Sequence, residues 1–419
     1  MSEPAAPPAI GDASRCGVDS VDIARVERLL ADTPADQLPR LFAARELADA
    51  GDGPGRPASL AARLAAKEAC LKLFPRETAL GSLVAGDFSI VRDAYGAPQV
   101  ELSENAEIAL GRNRLQSIGV SLTHDRAQAS AVALARPQHA APSTAARLVY
   151  RLLPFRRKLV LDNLRLVYGD RVDEAEIERL AQAHYGHLVR LAWEFLCSPL
   201  QSAARRRALV RVDNLDALLA AQAEGKGVLI LTGHFGNFEV ATTAGLASFP
   251  EARGKFHFVR RPIRPAWLDA LVTRRFRAAG FGVLPKRGGL DAMLDRLAAG
   301  DLVVFPFDQH AGRKDGVQAE FFGHPAGTFR SLAVIALATG APVVPAASWR
   351  EADGRHVLRF EAPLAPVEHA DTNEAIRLAT RTYNRALERM IVRQPEQWWW
   401  VHRRWKVWPA ADSQRRRAG

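Results

Sequence analysis

The sequence predicts two folded domains, an α+β module followed by an α/β module, and three observations carry that expectation. The chain of 419 residues exceeds what one hydrophobic core usually organises. The stretch Arg136 to Thr144 (RPQHAAPST) has two prolines and little periodicity, so it reads as a linker. Charge changes sign across it: residues 1–140 carry 15 Lys+Arg against 18 Asp+Glu, a net of −3, and the remainder carries +14. The expected division is a disordered tail over 1–15, a domain over 16–136, a linker over 137–145, a second domain over 146–410 and a basic tail over 411–419.

A hydrophobic fraction of 48% and a charged fraction of 25% are ordinary for a folded, soluble protein. Cys16, Cys70 and Cys197 have neither metal-ligand spacing nor the density of a disulfide framework, which fits a reducing cytoplasm. The N-terminus lacks the basic and apolar regions of a signal peptide. The longest uncharged stretch, Ser331 to Trp349, contains Gly340, Pro342 and Pro345 and reads as helix, turn and buried strand rather than a span. The basic C-terminal part suits an anionic partner such as nucleic acid, an acidic carrier protein or lipid headgroups, or is simply a solvated Arg-rich surface.

In the first module GVDSVDIARVERLL begins as a strand and turns into a helix with Ile23, Val26 and Leu30 on one face. LAARLAAKEACLKLF is a second helix, stopped by Pro75. The runs DFSIVRD, QVEL, IGVSLTHD and ASAVALA read as strands of an antiparallel sheet. Glu68 and Lys72, at i and i+4, share a helix face. Taken alone they are a surface ion pair as readily as a site.

GVDSVDIARVE, then RLAAKEACLK about fifty residues on, then VSLTHDRAQASAVAL together resemble the holo-acyl-carrier-protein synthase family of 4'-phosphopantetheinyl transferases, over Cys16 to Arg136. The resemblance implies that Asp19 and Glu68 ligate Mg²⁺, which bridges the pyrophosphate of coenzyme A while a carrier-protein serine attacks, with Glu68 counted among the catalytic groups. Magnesium suits such a site because it takes oxygen ligands and commonly needs only one or two carboxylates beside substrate phosphates. Lys67 and Lys72 are candidate phosphate contacts and His124 a neighbour of the nucleotide, with a structural role the alternative for Lys67 and His124. Related synthases are trimers with sites between subunits, so the resemblance also implies a homo-oligomer. The competing reading is a non-catalytic module that docks carrier protein.

The second module alternates strands with helices: GVLILTG, a helix after Asn237, FHFVRR, a helix to Ala279, GVLP, a helix over Asp291 to Ala299, and LVVFPFD. Leu148 to Leu200 before it is mostly helical. In Thr-Gly-His-Phe-Gly-Asn-Phe-Glu, His234 and Glu239 are five residues apart, about 140° on a continuous helix, so pairing them requires His234 on the turn and Glu239 inside the helix. Gly233 and Gly236 permit that turn. A histidine held by a carboxylate is a general base able to take a proton from a hydroxyl that attacks a thioester.

With VRRPIRPAWLD, KRGGLDAMLDRLAAGDLVVFPFDQHAG, AEFFGHPAGTFRSLAVIALATGAPVVP and NRALERMIVRQPEQWWWVHRRWKVWP, this motif resembles the late acyltransferases of lipid A biosynthesis, members of the lysophospholipid acyltransferase-like superfamily. The resemblance implies His234 as general base, Glu239 as its orienting partner and Arg261 as a phosphate or oxyanion contact. Asp308 and the FFG turn Phe321 to Gly323 line the pocket. Arg261 alternatively caps a helix, and Asp308 alternatively fixes a loop. Trp398, Trp399, Trp400, Trp405 and Trp408 among His402, Arg403, Arg404 and Lys406 suit a headgroup interface; stacking on nucleic acid and core packing are the other readings, and the upstream motif speaks against nucleic acid.

The family usually begins with a membrane-spanning segment. Here RLVYRLLPFRRKLVLDNLRLVYG stands in its place and reads as an amphipathic helix on the bilayer. The expected protein is a bifunctional, peripheral enzyme on the cytoplasmic face of a bacterial inner membrane. Its partners are acyl-carrier protein and a lipid or glycolipid acceptor, its donor an acyl-carrier thioester or acyl-CoA. The alternative is an acyltransferase alone.

Overall fold

The computed structural model describes residues 14–406 and 408, apart from 35, 80, 246–248, 250–252 and 287. Residues 1–13 of the expected N-terminal tail, and the whole of the expected basic tail, lie outside the described residues. The chain forms two compact units: the described residues up to Ala140 with Arg165–Arg179, and Ala141–Leu164 with the described residues from Leu180 onward.

The N-terminal unit runs β1 (Arg15–Asp22), α1 (Ile23–Asp32), α2 (Ala44–Ala50), α3 (Arg56–Leu71), α4 (Arg76–Ala79), β2 (Phe88–Arg92), β3 (Pro98–Leu102), α5 (Glu104–Arg112), β4 (Leu115–His124) and β5 (Gln128–Pro137). Its main sheet has the order β1-β5-β4 and is antiparallel, as expected; β2 and β3 form a separate antiparallel pair. Alternation in β5 sends Ala129, Ala131, Ala133 and Ala135 inward, where they are buried with Ala61, Ala62, Ala65, Ala66 and Ala69 of α3 in one core. Small residues on both faces let helix and sheet approach closely. A Cβ on Gly17 would stand 2.0 Å from the Ala69 carbonyl oxygen, so this strand position admits only glycine. Asp19, two residues on, projects to the same face as Gly17.

The chain continues through α6 (Thr144–Leu152), α7 (Arg157–Tyr168) and α8 (Glu174–Cys197), of which the end of α7 and the start of α8 belong to the N-terminal unit, and then, in the C-terminal unit, α9 (Ala203–Ala208), β6 (Val210–Asp213), α10 (Leu215–Ala223), β7 (Val228–Thr232), α11 (Phe238–Gly245), β8 (Phe256–Arg260), α12 (Ala266–Ala278), β9 (Gly282–Pro285), α13 (Leu290–Ala298) and β10 (Leu302–Pro306). It closes with β11 (Gly316–Phe321), β12 (His324–Phe329), α14 (Ser331–Thr339), β13 (Val343–Arg350), β14 (His356–Phe360) and α15 (Thr372–Arg393). Seven strands form one sheet, β6-β14-β13-β7-β10-β8-β9, with β13, β7, β10, β8 and β9 mutually parallel. Val228, Leu229, Ile230 and Leu231 are all buried, the continuous apolar run of a parallel strand covered on both faces. Open parallel sheets place ligands at the carboxyl ends of their strands, and here His234, Asp308, Arg261 and Lys286 follow the ends of β7, β10, β8 and β9.

At the carboxyl end of β13 lies a buried polar cluster. His187 and His356 flank the Arg350–Glu194 ion pair, in which the guanidinium Nε donates to Glu194 at 2.7 Å, and the His184 ring lies 6.4 Å from that of His187. Burial holds all three imidazoles down, His184 and His356 to about 4 and His187 well below its usual value. Their folded-state values lie below the unfolded value near 6.5. The stability they contribute is therefore complete above that pH and is lost as pH falls through the folded values. Each costs about 1.4 kcal/mol per pH unit across that window. All eight tryptophans lie in the C-terminal unit. Its urea midpoint, followed by tryptophan fluorescence, should therefore fall as pH drops below ~6.5, less steeply in His187→Gln.

Candidate functional sites

β7 ends at Thr232 and the chain turns through Gly233 to Asn237 before α11. Gly233 is required because a Cβ there would meet the Phe235 ring at 2.7 Å and the Asp308 carboxylate at 3.1 Å; Gly236, at φ +49°, lies against the Ser348 carbonyl oxygen. The turn is held on every side. Gly236 N donates to Gln397 O at 3.0 Å, Ser348 Oγ to Phe235 O at 3.0 Å, and Asn237 Nδ2 to Glu194 at 3.0 Å. The side-chain carbonyl of Asn237 accepts from Val240 N at 3.1 Å and starts the helix.

His234 is held by Asp308, not by Glu239. Its Nδ1 lies 2.9 Å from Asp308 Oδ1, its backbone N–H donates to Oδ2 at 2.8 Å, and Trp398 Nε1 donates to the same oxygen at 2.9 Å. Burial alone would push the Asp308 carboxyl up, but His234 and these donors hold it well below the usual range. Burial likewise opposes the imidazolium of His234, and the Asp308 charge and hydrogen bond outweigh it, so its pKa is raised. With Nδ1 engaged, Nε2 has no hydrogen-bond partner among the described residues, and the ring, 27% exposed, lines a cavity of about 340 Å³. Ile230, Phe256, Phe258, Val272, Phe276 and Val304 give that cavity apolar walls.

The expectation for Glu239 is thus corrected. The residue is inside α11 as expected, but its carboxylate accepts from Arg275 Nη1 of α12 at 2.9 Å, and burial raises its pKa against that pairing. Asp308, expected as a substrate contact or loop anchor, is the orienting carboxylate. Arg261 does line the cavity, and among the described residues it makes no hydrogen bond that would cap α12. The FFG turn does not line it: Phe321 and Phe322 are buried, and Phe322 N donates to Glu388. Sequence reasoning also missed Arg275, Lys286 and the role of Trp398.

Much of the closing segment packs as core, with Trp399, Arg403 and Lys406 left exposed. Trp398 and Trp400 are 1% and 0% exposed; Trp405 donates to Phe321 O at 3.1 Å and Trp408 to Ala311 O at 2.9 Å. Arg404, fully buried, donates to Gly327 O and Thr328 Oγ1 and stacks over Phe321. These contacts anchor the segment that presents Trp398 to Asp308.

In the N-terminal unit Lys72 Nζ donates to Asp19 Oδ1 at 2.7 Å and to Val18 O at 2.8 Å. Glu68, one turn earlier on the same face of α3, is partly exposed. Among the described residues no group of three or more His, Cys, Asp or Glu forms a metal cluster; two partly exposed carboxylates beside a lysine nevertheless suit an ion completed by substrate phosphates and waters. Lys67 does not point there. It is 1% exposed and donates to the fully buried Glu46 at 2.7 Å, while Glu46 also accepts from Ala43 N and Ile90 N. The expected phosphate contact is therefore a structural ion pair. Glu46→Ala, which strands the Lys67 ammonium, should destabilise this unit by about 3–5 kcal/mol, read as lost hydrogen-exchange protection of α3. His124 is exposed at the end of β4, two strands from β1, so one copy of the chain does not bring it to Asp19.

Among the described residues no helix is long and apolar enough to cross a membrane.

The family model described as bacterial lipid A biosynthesis acyltransferase matches residues 137–407, and that of the 4'-phosphopantetheinyl transferase superfamily matches residues 15–132. The chain is 29% identical over 212 residues to the lipid A biosynthesis palmitoleoyltransferase of Escherichia coli, covering 50% of this chain and 66%, just under two thirds, of that relative. It is 34% identical over 120 residues to the holo-[acyl-carrier-protein] synthase of Alkaliphilus metalliredigens, covering 28% of this chain and 95% of that one. A crystal structure of the Helicobacter pylori holo-[acyl-carrier-protein] synthase in complex with coenzyme A aligns with 29% of this chain and 98% of that chain, at 28% identity and a TM-score of 0.24. The chain belongs to the bacterial lipid A biosynthesis acyltransferase family over its C-terminal part and to the 4'-phosphopantetheinyl transferase superfamily over its N-terminal part, a fusion of two enzyme domains.

Proposed function

We propose that the chain is bifunctional, its two activities dividing at residues 137–145. The N-terminal domain transfers 4'-phosphopantetheine from coenzyme A to a serine of acyl-carrier protein. The C-terminal domain transfers an acyl group from that carrier, or from acyl-CoA, to a hydroxyl of a lipid or glycolipid. The observation that carries the second activity is the Asp308–His234 pair facing an apolar-walled cavity.

Asp308 holds the tautomer with the proton on Nδ1, which leaves Nε2 to accept the hydroxyl proton as oxygen attacks the thioester carbonyl. The imidazolium then lies beside the Asp308 carboxylate. As the tetrahedral intermediate collapses the C–S bond breaks, the ester is formed, and the thiolate takes the proton from Nε2. The cavity walls exclude water that would otherwise hydrolyse the thioester.

For the first activity Asp19 and Glu68 would hold Mg²⁺, and Lys72 would contact a substrate phosphate. When bound, the ion offsets the charge on the coenzyme A phosphates. Exposed Val18, Val132 and Leu134 on the outer face of the β1-β5-β4 sheet support a homo-oligomer. Exposed Leu148, Leu152, Leu153 and Phe155 beside exposed Arg147 and Arg151 support peripheral binding to an anionic inner-membrane surface from the cytoplasmic side.

The test separates the two activities. His234→Ala should lose acyl transfer and keep apo-carrier conversion, and Asp19→Ala/Glu68→Ala the reverse. A wild-type chain that converts no apo-carrier leaves only the docking-module reading of the N-terminal domain.

A further inference from the structure

Asp308 stands in residues 307–315, a stretch with neither helix nor strand between β10 and β11, and a carboxylate orients an imidazole only as firmly as its own backbone is held. The start of the stretch is tied to the sheet, where Phe307 N donates to Thr232 O at 2.8 Å. Past Asp308 the next tie is to a side chain: His310 N donates to Nε2 of His402 at 3.1 Å. The main chain then rejoins a neighbour through Ala311 N, which donates to Gly327 O at 2.9 Å.

His402 is fixed in turn. The buried Asn163 of α7 donates from Nδ2 to Trp400 O at 2.8 Å and to His402 O at 2.9 Å, and Arg156 Nη1 donates to Val401 O at 2.8 Å. Trp398, one short turn of chain before His402, donates to Asp308. The closing segment therefore grips the stretch at two points, the Asp308 carboxylate and the His310 N–H. A ring nitrogen that accepts from a backbone N–H carries no proton, so His402 is neutral with its proton on Nδ1. Burial opposes its imidazolium, Asp308 favours it, and His234, Arg404 and His310 oppose it, which leaves its pKa at about 4. Protonation would remove the lone pair that the His310 N–H uses and set a cation beside the imidazolium that forms on His234.

We propose that His402 is a positioning residue of the acyl-transfer centre: by accepting the His310 N–H it sets the place of Asp308, which orients His234. The proposal rests on reading His234 as the general base. In this role His402 acts through Asp308 rather than on the substrate, so its removal loosens the carboxylate and leaves substrate binding as it was. Trp398 alone then restrains Asp308 from the closing segment, through the carboxylate and not through the backbone. The side chain of His402 matters here for one acceptor atom, and any group that offers a neutral acceptor at the same place should serve.

The first experiment needs no acyl transfer. The full chain is labelled with imidazole-¹⁵N histidine, and the His234 and His402 signals are assigned by their loss in His234→Gln and His402→Gln. In the wild type near neutral pH both rings should carry the proton on Nδ1, and His402 should stay neutral to below pH ~5. A wild-type His402 with its proton on Nε2 overturns the proposal before any variant is made. His402→Phe keeps a ring and loses the acceptor; it should bring the raised His234 pKa down toward its usual value as Asp308 loosens. His402→Gln, whose amide oxygen can replace Nε2, should restore it. A His234 pKa that does not move in His402→Phe overturns the proposal, whatever the enzyme catalyses.

The second experiment is kinetic. His402→Phe should lower kcat for acyl transfer by roughly 10–10²-fold with KM little changed, and His402→Gln should recover most of the loss. In an Asp308→Asn background the His402→Phe change should alter kcat by less than about threefold, because a residue that works through Asp308 then has nothing left to place. Fully additive losses, or a raised KM with kcat unchanged, overturn the proposal. A wild-type chain that transfers no acyl group refutes the proposed acyl transfer instead, and the ring spectra still decide whether His402 sets His234.

Discussion

His234→Ala and Asp308→Asn should each lower kcat for acyl transfer by roughly 10³–10⁴-fold with little change in KM, whereas Glu239→Gln should retain activity within about tenfold. The difference follows from what each carboxylate holds. Asp308 accepts three hydrogen bonds, two of them from His234, so replacing it with asparagine allows the imidazole to turn its wrong nitrogen to the cavity. Glu239 holds Arg275 and affects His234 only through the packing of α11 on α12. The pH profile adds a readout independent of magnitude. Asp308 raises the His234 pKa and the base acts when neutral, so wild-type kcat rises with pH through that raised value. In Asp308→Asn the residual activity should rise at lower pH. If instead Glu239→Gln is the crippling change and Asp308→Asn the mild one, the pairing assigned to His234 is wrong.

The error in pairing His234 with Glu239 shows what a sequence alone resolves. Strands and helices of both domains were legible because their apolar runs and breaks are local. GVLILTG, FHFVRR, GVLP and LVVFPFD became β7, β8, β9 and β10, and the Ala-rich helix and strand of the first module became α3 and β5. The orienting carboxylate was not legible, because it depends on strand order. Thr232 and Pro306 are paired across β7 and β10, and His234 and Asp308 each stand two residues beyond, so adjacency of two parallel strands brings them together. A motif six residues long offers Glu239 as the nearest acid, and nothing local says that Arg275 claims it. Lys67 fails for a similar reason. In KEACLK its neighbour Glu68 looks like its companion, whereas successive helix positions diverge by about 100°, which turns Lys67 into the core toward Glu46 and leaves Glu68 and Lys72 facing outward. The tryptophans of the closing segment were ambiguous because indole suits both a lipid interface and a core; Trp398 and Trp400 are buried with Arg404, whereas Trp399 is exposed.

Asp19→Asn and Glu68→Gln should each reduce apo-carrier conversion by roughly 10²–10⁴-fold, the rate equivalent of losing several kcal/mol of charge stabilisation on the transferring phosphate, and leave acyl transfer unchanged. Both replacements keep size and hydrogen bonding. The amide oxygen that takes the place of the Asp19 carboxylate can still accept from Lys72, so the contact between β1 and α3 survives and only the anionic oxygen is lost. The loss should be partly relieved by raising the Mg²⁺ concentration, because weakened ion binding is a mass-action defect, whereas misfolding is not rescued by the ion. Lys67→Met supplies the contrast. It should lower the stability of the N-terminal unit by leaving Glu46 buried without its cation, while conversion by the fraction that remains folded stays near the wild-type rate and its dependence on coenzyme A concentration does not move. A raised KM for coenzyme A in Lys67→Met would return that lysine to the phosphate site. Equal conversion by wild type, Asp19→Asn and Glu68→Gln would remove the two carboxylates from the reaction.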